Sequence, residues 1–373
     1  MTETVIPAGS PRDPRRSPSV WHDRGVFPST SPETGRDPWA DGAPDGPAGP
    51  AGGPAPEPRP APADDAGSRR ERGPRRFRKG GQPRRSEDDD VEPDEEPIEP
   101  VEVRRPLSLT VAGFAALLGV GLVLGAQTAG PGHRLPFAII VFGVQLLFVL
   151  AWTMAMRPPA LLLVALTSGV VAAAADVAAV QTDVAGLAPL GFVALGGFLL
   201  GVLGQLVRRV DRVRVTDSLG TTLLIVVGVV AFATLITLSR IPAGTQAITV
   251  CLVATGVALT VARLTDAVLA WPRLAPQVPR GAAGVVVGAM VGTLTSALLG
   301  SYLVGFTPTS AALIGLVTAA TAVLADLAVG YAEAGRLMAG EPPTMWIARH
   351  MQGPLGGFAL AAPAAYAMCV LFL

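Results

Sequence analysis

Residues 309–332, TSAALIGLVTAATAVLADLAVGYA, form an apolar run whose length decides the fold. An α-helix of about 20 such residues crosses the ~30 Å hydrocarbon core of a bilayer. The run contains one charged side chain, Asp326. Because intramembrane carboxylates are costly and usually functional, Asp326 is the first candidate site residue. We therefore predict a transmembrane helix that carries a functional or structural carboxylate.

Comparable runs recur from Leu107 to the C-terminus. They predict an all-α, polytopic membrane domain over residues 107–373, with about nine transmembrane helices. The predicted spans are 107–128, 136–156, 158–180, 186–207, 219–239, 246–268, 281–303, 309–332 and 354–373.

Residues 1–106 have a contrasting composition. They contain 17 of the 29 basic and 21 of the 29 acidic residues, together with much Pro, Gly and Ala. Such a segment cannot bury enough apolar area to offset ~1–2 kcal/mol of backbone entropy per residue. The first residues also lack the apolar stretch of a secretory signal. We predict a long, disordered cytoplasmic tail before the membrane domain.

Two charge blocks stand out in this tail. Residues 69–85 hold nine basic side chains, and residues 87–102 hold ten acidic ones. The basic block alone favours anionic lipid or nucleic acid. The adjacent acidic block repels the same surfaces and screens the basic charges. We therefore expect a solvated tail and do not expect nucleic acid to bind.

The arginines of the membrane domain predict its orientation. With the tail in the cytoplasm, ten of the twelve arginines of residues 107–373 fall on the cytoplasmic side, and only Arg134 and Arg240 fall outside. This bias follows the positive-inside rule and predicts a plasma-membrane protein with its N-terminus inside and its C-terminus outside. One basic loop suits contact with anionic headgroups or serves only to fix topology. Its arginines are Arg208, Arg209, Arg212 and Arg214.

The seventh run carries a stripe of small residues at every fourth position. The stripe consists of Gly284, Gly288, Gly292, Ser296 and Gly300. Small residues on one helix face let two helices approach closely in lipid. The stripe predicts either a homodimer seam or packing within the same bundle, and the number of helices to be packed favours the second.

Several polar side chains follow the C-terminal end of the apolar run 309–332. A polar loop is predicted to follow it and to carry Glu333, Arg336, Glu341, Arg349 and His350. Asp326 and Glu333 are seven residues apart and share a helical face. Two such carboxylates could hold Mg²⁺ or line a cation pathway, and the alternative is a buried, hydrogen-bonded Asp326 beside a solvated Glu333. Glu341 and His350 complete the candidate cluster.

A further pair of charges lies near the end of the sixth run. Arg263 and Asp266 are one turn apart, which predicts a local structural ion pair.

Short motifs follow one another in residues 275–373. They are Arg280-Gly281, the glycine-rich run 284–300, Ala325-Asp326-Leu327, Gln352-Gly353-Pro354 and Ala361-Ala362-Pro363. In order and spacing this segment resembles the C-terminal region of the phosphatidate cytidylyltransferases, or CDP-diacylglycerol synthases. The resemblance implies a cytidylyltransferase-like part over about residues 275–373, with Asp326 at the position of a metal-binding aspartate.

The chain differs from that family at the positions of the residues that carry out its chemistry. The family holds Mg²⁺ with aspartates and adds lysine and arginine. Here Gly353 and Gly356 stand in place of two aspartates, and Glu333 stands among the basic positions. Residues 107–373 contain no lysine. Because the loss of one such group typically costs several kcal/mol of transition-state stabilisation, we expect a non-catalytic relative. That relative would act as a membrane scaffold, partner or lipid-interacting subunit.

Two alternatives remain open. One is an active CTP:phosphatidate cytidylyltransferase in which Asp326, Glu333 and Glu341 are replacement Mg²⁺ ligands. The other is a transporter for a small solute or ion, although the charges cluster at a helix end and not at the midplane where substrates usually bind. The expected partners are membrane lipids and another membrane protein or a second copy of the chain. No cofactor is expected outside the enzyme alternative.

Overall fold

The computed structural model describes residues 100–128, 134–182, 185–207, 215–342 and 345–372. Within these ranges nine helices are long and apolar enough to cross a membrane, so the chain is a multi-pass helical membrane protein. Residues 1–99 lie outside the described residues, and so do both charge blocks except for 100–102. The four arginines of the predicted basic loop, residues 208–214, also lie outside them.

The helices and strands have the following bounds. They are α1 (Arg105–Ala126), α2 (Leu135–Met156), α3 (Leu161–Gln181), α4 (Ala188–Val207), α5 (Val215–Leu238), α6 (Gly244–Val268), β1 (Arg273–Ala275), β2 (Val278–Gly281), α7 (Ala282–Gly300), α8 (Pro308–Met338) and α9 (Trp346–Phe372). The first seven helices agree with the predicted spans to within about one turn.

The last two helices are longer than predicted. α8 has 31 residues and α9 has 27, which correspond to about 46 and 40 Å, more than the ~30 Å hydrocarbon core. The predicted polar loop is therefore largely wrong. Glu333 and Arg336 lie on α8, Arg349 and His350 lie on α9, and Glu341 alone of the five lies in the short connection.

The predicted start of the ninth span, at Pro354, is wrong by about two turns. Proline is common in the first turn of a helix, which favoured that boundary. In the structure Pro354 and Pro363 both lie inside α9. Transmembrane helices tolerate an internal proline because neighbouring groups can satisfy the backbone carbonyl that loses its donor. The extra turns before Pro354 bring Arg349 and His350 towards α8.

A short hairpin between α6 and α7 was absent from the all-α prediction. β1 and β2 pair antiparallel, with Arg273 opposite Gly281 and Ala275 opposite Val278. The segment before α1 is bonded to this hairpin at two points. The backbone N–H of Val101 donates to the carbonyl of Pro276 (2.9 Å), and Arg273 Nη1 donates to the carbonyl of Val101 (2.7 Å). Residues 100–104, which the sequence assigned to the tail, thus form a strap on the membrane domain.

The small-residue stripe of α7 is buried within the chain. A Cβ atom added to Gly288 would lie 2.6 Å from the carbonyl oxygen of Ala258, and one added to Gly292 would lie 2.6 Å from that of Ala254. The backbones of α6 and α7 therefore touch along the stripe. This is the packing within one bundle that the sequence favoured, so a homodimer would need another surface.

The helices form two groups that share α9. The central helix α6 packs against α1, α7, α8 and α9, whereas α5 packs against α2, α3, α4 and α9. Arg336 near the end of α8 donates to the carbonyl of Ala155 near the end of α2 (3.1 Å). Arg240, after α5, donates to the carbonyl of Ala179 near the end of α3 (2.9 Å). We call the end at which α1 begins the proximal end, and the opposite one the distal end. The proximal end is the one predicted to face the cytoplasm.

Candidate functional site

A cavity of about 490 Å³ lies at the proximal end, between the strap, α1, α6, β2, α8 and α9. We call it the proximal cleft. Its charged and titratable lining consists of Glu102, Arg104, Arg263, Arg280, Asp326, Glu333, Arg349 and His350. Six different segments of the chain supply these walls, so the cleft forms only when the bundle is complete.

Asp326 lies at the base of the cleft and is almost fully buried. Arg263 of α6 binds the Asp326 carboxylate in bidentate fashion: Nε donates to Oδ2 (3.0 Å), and Nη2 donates to Oδ1. Arg280 of β2 donates to Oδ2 through Nη1. Both carboxylate oxygens of Asp326 are therefore occupied by guanidinium groups.

Arg280 extends this network to a second carboxylate. Its Nε lies 2.6 Å from Oδ2 of Asp266, and Oδ1 of Asp266 accepts the backbone N–H of Gly281 (3.0 Å). Burial lowers the pKa of Arg280, but Asp326 and Asp266 raise it more, so its pKa lies above its ordinary value. Arg280 is therefore a charged bridge between the two aspartates.

The predicted local pair between Arg263 and Asp266 is wrong. Each of the two pairs with a residue of another element, because β2 places Arg280 between the two aspartates. We call Arg263, Asp266, Arg280 and Asp326 the inner quartet. It contains two positive and two negative charges and is neutral as a unit. This neutrality stabilises the fold, because an unpaired charge at a buried position would lower the free energy of unfolding.

Glycines give the two aspartates room. A Cβ atom at Gly353 of α9 would overlap Oδ1 of Asp326, and one at Gly284 of α7 would overlap Oδ1 of Asp266. Both helices thus pack directly on the inner quartet.

A second ion pair lies nearer the cleft mouth. Glu333 of α8 pairs with Arg349 of α9, and both side chains are partly exposed. The His350 ring packs edge-on against Trp346, with 5.3 Å between centroids. Two buried nitrogens of the lining, His350 Nε2 and Arg280 Nη2, have no hydrogen-bond partner among the described residues. The lining therefore holds hydrogen-bonding capacity that the folded chain itself does not use.

Three of the four candidate site residues meet in this cleft. Asp326, Glu333 and His350 line it, whereas Glu341 is exposed and lies outside its lining. The sequence interpretation missed Arg280 as a partner because the hairpin was not predicted. Arg263 could have been found, since an intramembrane carboxylate needs a countercharge and Arg263 is the one arginine inside the predicted spans.

The donor set of the cleft does not fit Mg²⁺. Magnesium prefers carboxylate and water oxygens with near-octahedral geometry. Both oxygens of Asp326 face arginines, Glu333 is paired with Arg349, and Glu341 is elsewhere. Within the described residues no three His, Cys, Asp or Glu side chains are grouped to hold a metal ion.

No protein-family model, no curated protein and no solved structure matches the chain. The resemblance to phosphatidate cytidylyltransferases therefore stays a prediction. Any function has to be inferred from the cleft and the charges that line it.

Proposed function

We propose that this protein is a non-catalytic integral membrane protein with a cytidylyltransferase-like C-terminal region, acting as a scaffold or lipid-interacting subunit. One observation carries the proposal: the carboxylate of Asp326 is occupied on both oxygens by Arg263 and Arg280. A nucleotidyl transfer that uses Mg²⁺ needs this carboxylate free to bind the metal.

A metal ion at Asp326 would be opposed by the surrounding charges. It would have to displace two guanidinium groups that have little room to move, because Arg280 is 2% exposed and also bridges to Asp266. The positive charge of a metal ion and those of the two guanidinium groups would repel strongly where water is excluded. The inner quartet thus supports a role in holding α6, α8 and the hairpin together.

The first test is a turnover assay on the purified protein in lipid nanodiscs, with CTP, phosphatidic acid and Mg²⁺. We expect no CDP-diacylglycerol above the level that empty nanodiscs give. An active cytidylyltransferase in the same nanodiscs is the positive control and should form CDP-diacylglycerol. Magnesium-dependent turnover that is abolished by Asp326→Asn would contradict the proposal and favour the enzyme alternative.

The lipid-interacting part of the proposal rests on the charges of the cleft. Arg104, Arg263, Arg280 and Arg349 all line it, and Arg280 Nη2 is buried without a partner among the described residues. Guanidinium groups bind phosphate oxygens in bidentate fashion. The cleft also lies at the end predicted to face anionic lipid. An anionic phosphate headgroup is therefore the ligand that suits it best.

Arg349→Gln is expected to weaken the binding of phosphatidic acid about tenfold, since a hydrogen bond to a charged group contributes roughly 1.5–3 kcal/mol. The substitution also leaves Glu333 unpaired, which adds repulsion towards phosphate. Native mass spectrometry with graded phosphatidic acid measures the effect, and phosphatidylcholine gives the background.

Arg157→Gln is the matched control for this experiment. Arg157 is exposed at the end of α2 and does not line the cleft. The control removes the same charge near the same membrane surface, so equal losses in the two variants would show diffuse surface attraction and would contradict a headgroup site in the cleft.

A further inference from the structure

A third buried carboxylate lies inside the bundle and outside the lining of the proximal cleft. Asp176 is on α3, five residues before the helix ends at Gln181, or about 8 Å along its axis. It is 6% exposed. The side chain of Gln145, on α2, donates through Nε2 both to Asp176 Oδ1 (2.9 Å) and to the carbonyl of Val229 on α5 (2.9 Å). One amide thus connects three helices around this carboxyl group.

Two oxygen atoms of Asp176 and Gln145 take no part in these hydrogen bonds. Asp176 Oδ2 and Gln145 Oε1 are both buried, and neither has a hydrogen-bond partner in the part of the chain that the structure describes. Both are acceptors, so they cannot satisfy one another while Asp176 is ionised. A buried acceptor without a partner costs on the order of 1–3 kcal/mol. What the pair lacks is a single donor hydrogen.

No positively charged side chain of the described residues forms an ion pair with Asp176. Among the described residues, α2 and α4 carry no charged side chain, and the charged residue of α5 is Asp217 in its first turn, at the proximal end. Two arginines bind the carbonyl groups at the end of α3: Arg134 donates to the carbonyl of Val180, and Arg240 donates to that of Ala179. Within the described part of the chain, neither arginine forms an ion pair with Asp176.

We propose that Asp176 is a proton-binding site, occupied at neutral pH. The bound proton makes Oδ2 a donor to Gln145 Oε1, while Gln145 Nε2 continues to donate to Oδ1. One proton then satisfies both unpartnered oxygens and removes a negative charge from an apolar region, where an isolated carboxylate is unstable. The site differs from the inner quartet, where two arginines and not a proton balance the carboxylates. This inference does not depend on the function proposed for the cleft.

Infrared difference spectroscopy tests the proposal directly. The spectrum of the native protein minus that of Asp176→Asn, in lipid at neutral pH, should show the carbonyl stretch of a protonated carboxylic acid that shifts in D₂O. Asparagine has the same shape and can make both contacts to Gln145, so the variant should fold. Asp217→Asn makes the same change at an exposed position and is the control, because it should leave the carboxylic acid band of Asp176 in place.

A second variant tests the pairing. Gln145→Leu should move the carboxylic acid band to higher frequency, since the acid carbonyl loses the hydrogen bond that Gln145 Nε2 donates to it. The native protein gives an independent check, because the band should decrease only at alkaline pH and the titration should vanish in Asp176→Asn. Carboxylate bands in the Asp176→Asn difference at neutral pH, or a band unmoved by Gln145→Leu, would overturn the proposal.

Discussion

Asp326→Asn is expected to lower the free energy of unfolding by about 3–5 kcal/mol, the usual cost of removing one partner of a buried ion pair. The change leaves Arg263 and Arg280 facing one another without the carboxylate that separates their charges. Reversible unfolding in mixed micelles, followed by helical circular dichroism, measures the loss. Glu341→Gln removes a carboxylate that is exposed and outside the cleft, so it should change stability little.

A double variant distinguishes an ion-pair role from other causes. Asp326→Asn combined with Arg263→Gln restores a neutral cluster in which Arg280 still pairs with Asp266. It should be more stable than Asp326→Asn alone, although less stable than the native protein. If Asp326→Asn instead kept native stability, the carboxylate would not be holding the cluster together, and a metal-binding role would be favoured again.

Gly353→Ala is expected to cost about 1–3 kcal/mol or more, the range for overpacking a close helix contact. The added methyl group would overlap Oδ1 of Asp326 and lie 3.1 Å from Nη2 of Arg263. Either α9 moves away from α8 or the ion pair breaks. The same unfolding experiment measures the loss, and a shifted fluorescence of Trp346, at the start of α9, would report the movement.

Gly335→Ala is the matched control, because it makes the same chemical change on α8 where no atom lies within 4 Å of the added Cβ. Alanine is the better helix former by about 1 kcal/mol, so this variant should be as stable as the native protein or more stable. Equal destabilisation by both substitutions would contradict the close contact between Gly353 and the inner quartet.

The sequence predicted the transmembrane helices well because apolar length alone determines which segments can cross a bilayer. It failed where a helix continues past its apolar stretch. α8 proceeds through Glu333 and Arg336, and α9 begins before Pro354, so the change from apolar to polar residues does not mark the end of either helix. The strands β1 and β2 were missed because they are three and four residues long and have no periodic pattern to detect.

The candidate site was predicted in part. The rule that an intramembrane carboxylate needs an explanation selected Asp326, and helical spacing placed Glu333 on the same side. The need for a countercharge pointed to Arg263, but Arg280 could not be assigned, since its contact with Asp326 depends on how the hairpin packs against the bundle. Spacing along α6 suggested a pair with Asp266, but a spacing rule cannot detect a competing partner from another element.

The hydrogen bonds between the strap and the hairpin place the start of the folded membrane domain before α1. Val101 is joined to Pro276 and Arg273, and Arg104 forms part of the cleft wall, so the last residues of the acidic stretch belong to the folded bundle. A shortened protein that starts at Leu107 would open one side of the cleft and lose Arg104 from its wall, whereas one that starts at Pro100 would keep the wall intact. Any partner that displaces Val101 from the hairpin would therefore disturb the rim of the charged cleft.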